Sequence, residues 1–134
     1  MANITATLTL HSTNITSDEL NLSVSDVLSI KSPSVGVSKT TITTTGANHI
    51  IVPANDNKQT WVYVKHTGED GAGAAVTTEV EVELTGNVAI GTLKTGEWLW
   101  FPHCGNGGST GIQLQSSGGN IEVEYAYWSD ETAQ

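Results

Sequence analysis

The chain has no arginine, one cysteine, one methionine, one phenylalanine and three prolines among its 134 residues. Five lysines face 14 acidic residues, which leaves a formal charge of −9. That balance excludes a nucleic-acid partner, because displacing phosphate counterions takes a stripe of basic side chains. It also excludes attraction to an anionic membrane surface. The lone Cys104 rules out an internal disulfide framework and any multi-cysteine zinc site. No run approaches the roughly 18 apolar residues of a membrane-spanning helix. Met1, Ala2, Asn3, Ile4 and Thr5 open the sequence with neither a basic segment nor a long apolar run, unlike a secretory leader. The expected setting is a reducing cytoplasm, or an assembly formed there.

Charged residues are also scarce, at 14% of the chain against roughly 25% in an average soluble domain. Serine and threonine take their place at nearly a quarter of all positions. Hydrophobic residues, at 37%, still suffice for one packed core in a chain of this length. The expectation is a single β domain over residues 1–134.

The apolar residues recur with period two almost throughout. Ile4, Ala6, Leu8 and Leu10 share one face of a strand, with Thr5, Thr7, Thr9 and His11 on the other. Leu20, Leu22, Val24, Leu28 and Ile30 repeat the pattern, with Asp26 interrupting the apolar face. Further strands are read around Ile42, at 49–53, at 61–64 and at 76–84. Residues 88–101 read as one bent or broken strand pair, and 112–114 and 121–127 close the chain. Gly118, Gly119 and Asn120 predict a hairpin turn between the last two. Turn chemistry is dense at 67–74 and 105–111, and the glycine-rich loops within them, Gly68–Gly73 and Gly105–Gly108, read as mobile tips. Helix signals are confined to a possible cap at 17–20 with nothing periodic behind it. Eight or nine strands with regular turns predict an all-β antiparallel sandwich of jelly-roll or Greek-key type. All eight aromatic residues lie from Trp61 onward, so residues 1–30 read as an arm or a peripheral strand pair.

No constellation for catalysis emerges. His103 and Cys104 are neighbours and point apart on an extended chain. The four histidines show no metal-ligand spacing, so no metal and no cofactor are expected. Glu79, Glu81 and Glu83 form one acidic ladder and Glu122 and Glu124 a second. As strand neighbours they would repel, so either they lie apart or a cation or lysine sits between them. Alternation favours a solvated sheet face. Trp61, Trp98, Trp100 and Trp128 admit two readings, a core or subunit interface and a sugar-stacking platform. The second would make the chain a carbohydrate-binding β-sandwich module.

Three stretches together resemble small virion structural proteins of marine tailed bacteriophages. They are residues 1–10 with 20–24, the strand at 61–67, and residues 93–102, with 121–125 as a terminal strand. The resemblance implies a non-enzymatic particle component, made in the host cytoplasm and assembled into the virion. It implies a capsid decoration (cement) protein bound to the major capsid protein, often trimeric, or a small tail- or fibre-associated protein. It carries over no catalytic residue. The interface candidates are Ile4, Leu8 and Leu10 on a docking arm, with Trp98, Trp100 and Phe101 as aromatic anchors.

Overall fold

The computed structural model describes residues 2–15, 17–30, 34–43, 48–54, 58–104 and 110–133, with ten strands and no helix among them. The fold follows from side-chain alternation, which gives each strand one apolar face to bury.

The first two strands, β1 (Ala2–Ser12) and β2 (Leu20–Ile30), pair in unbroken antiparallel register and form a two-stranded sheet of their own. Eleven residues make this ribbon about 35 Å long. Its two faces are chemically opposite. One carries Ile4 opposite Leu28, Leu8 opposite Val24 and Leu10 opposite Leu22. The other is laced by hydroxyls, with Thr7 Oγ1 3.0 Å from Ser25 Oγ and Thr9 Oγ1 3.4 Å from Ser23 Oγ. Cross-strand pairs of this kind stabilise a ribbon by tenths of a kcal/mol each. Seven of the chain's serines and threonines lie on these two strands. The residues at 17–20, with their helix-cap chemistry, form the ribbon's turn and the start of β2.

The other eight strands are β3 (Ser34–Ile42), β4 (His49–Val52), β5 (Lys58–His66), β6 (Val80–Leu84), β7 (Val88–Leu93), β8 (Trp98–Cys104), β9 (Ile112–Ser116) and β10 (Ile121–Ala133). They form two antiparallel sheets, a front sheet in the order β3-β10-β5-β8 and a back sheet in the order β4-β9-β6-β7. The pairings are nested: β3 with β10, β4 with β9, β5 with β8 and β6 with β7. One long antiparallel ribbon, rolled so that β10 meets β5 and β9 meets β6, generates both sheets. The core fills the space between them. The front sheet contributes Ile42, Val62, Val64, Ile121 and Val123, and the back sheet Val52, Val80, Val82, Ile112 and Leu114, all fully buried.

Three local expectations need correction. Residues 88–101 are not one strand pair, since β7 belongs to the back sheet and β8 to the front. Gly118–Asn120 does not close a hairpin either. It carries the chain from β9 in the back sheet to β10 in the front, because both edges of β10 are taken by β3 and β5.

The third correction concerns the loop Gly68–Gly73, which is stitched down. Gly68 O accepts from Val76 N at 2.9 Å, and Glu69 O accepts from Glu122 N at 2.7 Å. Asp70 accepts from the backbone N–H groups of Ala72 and Ala74, and those bonds hold its carboxyl below the usual range. Glycine is required here for conformation and space. Gly71 has φ of 85°, and a Cβ on it would meet Thr41 Oγ1 at 2.5 Å. The second glycine-rich loop, Gly105–Gly108, lies outside the described residues.

Candidate functional site

Alternation along β5 sends Thr60, Val62, Val64 and His66 into the core and Trp61, Tyr63 and Lys65 outward. On β8 the same parity turns Leu99 and Phe101 inward and Trp98 and Trp100 outward. Trp128 of β10 stands opposite Trp61. All four tryptophans therefore lie on the outer face of the front sheet. Trp61 and Trp100 stack with centroids 5.5 Å apart and planes 20° from parallel. Trp128 tilts against Trp100 at 5.7 Å. Trp98 extends this aromatic floor and remains 54% exposed.

The β1–β2 ribbon lies over the floor with its apolar face inward. Leu28 and Ile30 at its base are buried, while the distal half overhangs with Leu10 44% and Leu22 40% exposed. Between ribbon and floor is a cleft of about 700 Å³, within the roughly 300–1,000 Å³ of small-molecule sites. Ile4, Leu8 and Leu28 roof it. Its polar groups include Asp26 from the ribbon and Lys65 and Tyr63 from the floor. Asp26, the residue that breaks the apolar stripe in the sequence, thus faces the tryptophans.

The floor is braced from beside the cleft. Tyr63 Oη donates to Glu124 Oε1 at 2.9 Å, and Lys39 Nζ bonds Glu122 Oε1 at 3.0 Å. Burial, the Glu124 hydrogen bond and its charge together push the Tyr63 hydroxyl up to about 12. The folded chain therefore holds this proton more tightly than the unfolded chain. Stability from this group is intact below about pH 10 and declines as pH rises from 10 toward 12. In an alkaline absorbance titration Tyr63 should give a late phase, near pH 12. In Tyr63→Phe that late phase should disappear; its persistence would contradict the assignment.

The sequence-derived candidates divide. Ile4 and Leu8 reach the cleft, Leu10 lies on the overhang, and Trp98 and Trp100 form the floor. Phe101 packs against the core from the opposite face, so it shares no surface with the two tryptophans. Trp61, Trp128, Tyr63, Lys65 and Asp26 complete the site. Their convergence depends on strand order, which local sequence does not encode. The acidic ladders lie in different sheets, and a lysine also sits beside one of them, Lys39 at Glu122. In the other, Glu83 is buried and accepts from Gln113 Nε2 at 2.7 Å. His103 Nε2 lies 3.1 Å from Thr110 O. Among the described residues no three histidine, cysteine, aspartate or glutamate side chains gather as a metal-binding group. Comparison with family models, curated proteins and solved structures returns no match to this chain.

Proposed function

We propose that this chain is a structural component of a bacteriophage particle, a capsid decoration protein that binds and stabilises the outer shell. The observation that carries the reading is the ribbon. It is a self-paired arm whose apolar stripe begins buried against the front sheet, roofs the cleft, and continues past it uncovered through the facing pair Leu10 and Leu22. An exposed apolar stripe of this length on a soluble domain marks a docking surface.

The nested strand pairing supports a jelly-roll reading of the sandwich, an architecture found among viral capsid domains. That is fold-level analogy, and the sequence resemblance to phage virion proteins adds the particle context. The mechanism is bridging. Ribbon contacts made only on the assembled, mature shell stabilise that state by mass action. A trimeric arrangement would present three arms to one symmetric capsomer site.

Quantitative mass spectrometry of purified particles from the phage encoding this chain tests the reading. The expected copy number scales with the capsid subunits. A few copies per particle would move the chain to the tail or a fibre, and its absence from particles would overturn the proposal.

A further inference from the structure

We propose that the cleft between the ribbon and the aromatic floor is a glycan-binding site that takes a neutral oligosaccharide. The floor offers flat indole surface at the scale of a pyranose ring in the open ring of Trp98, beside the Trp61–Trp100 pair, whose facing surfaces are spent on each other. The roof and rim supply what a bare hydrophobic pocket lacks. Asp26 presents carboxylate acceptors and Lys65 presents ammonium donors into the same space. A sugar ring uses both kinds of surface, its C–H face on the indoles and its hydroxyls on the charged pair.

Other occupants fit less well. A wholly apolar ligand would take Lys65 from water, and leave the Asp26 carboxylate only its bond from Val27 N, a cost of several kcal/mol in order of magnitude. A nucleobase could stack on the tryptophans, but its phosphates would meet a protein of charge −9. The same net charge disfavours uronates and sialylated chains. One acid and one base at the site leave a neutral glycan as the complementary class. The volume of about 700 Å³ accommodates more than one ring, and Trp98 leads outward from the cleft toward solvent.

The proposal is read on the isolated chain and is independent of the particle role. The full-length protein is applied to an array of neutral, uronate-containing and sialylated oligosaccharides, and a hit is titrated by tryptophan fluorescence. The expected result is binding to neutral chains with a saturable fluorescence change. Trp98→Ala and Asp26→Asn, both at exposed positions, should each weaken affinity by about tenfold with an unchanged melting temperature. No binding on the array, binding of acidic glycans alone, or affinity indifferent to both substitutions would overturn it. So would concentration-dependent self-association that buries the floor and blocks the sugar.

Discussion

Replacing His66 by alanine is expected to destabilise the protein by about 3 kcal/mol, the largest loss expected from one polar side chain in this fold. The imidazole is fully buried at the end of β5. Its Nδ1 accepts from Gly68 N at 2.9 Å, so that nitrogen carries a lone pair and the proton resides on Nε2. Nε2–H then donates to Thr78 O at 2.8 Å. One ring thus holds both ends of the segment between β5 and β6. Alanine would strand a buried N–H and a carbonyl, each worth about 1–3 kcal/mol when unpaired, and leave a cavity besides. Denaturant unfolding should show a lower midpoint with an unchanged slope, and the melting temperature should fall by about 10 °C. A loss below about 1 kcal/mol would mean that the ring does not anchor this segment.

The second large effect is on docking. Leu10→Lys combined with Leu22→Glu places opposite charges directly across the ribbon, so strand pairing is retained. Both leucines are exposed on the overhang, and stability should change by less than about 1 kcal/mol. Neither lines the cleft, so sugar binding should also be unchanged. Particle binding should collapse. Burying a leucine side chain contributes about 1.5–3 kcal/mol, and the variant forfeits two such contributions and presents charges to an apolar contact. A loss of about 4 kcal/mol is roughly a thousandfold in affinity.

Period-two alternation made the strand content legible, and with it the opposite faces of Ile4–Leu10 against Thr5–Thr9 and of Trp98 and Trp100 against Leu99 and Phe101. Those assignments need only local parity. Sheet membership was hidden. The Gly118–Gly119–Asn120 turn has the chemistry of a hairpin, and the same residues serve equally to cross between sheets. Which it does depends on β10 being claimed by β3, dozens of residues away. The glycines at 68, 71 and 73 were legible as turn formers, but glycine content does not reveal whether the backbone then finds partners. Here it does, through Val76, Ala74 and Glu122. The aromatic floor was half legible. Trp61 and Trp128 lie far apart in sequence and meet only because β5 and β10 pair. Asp26 was legible as an interruption of the apolar stripe, but what it faces was not, since that depends on how the ribbon lies over the sheet.

The proposed role rests on the ribbon's uncovered apolar stripe docking on a phage shell. Co-sedimentation of the full-length chain with particles stripped of it, beside the folded Leu10→Lys, Leu22→Glu variant, tests that claim most directly. Saturable binding of the unsubstituted chain and none of the variant is expected at the same concentrations. Equal binding of the two would contradict it.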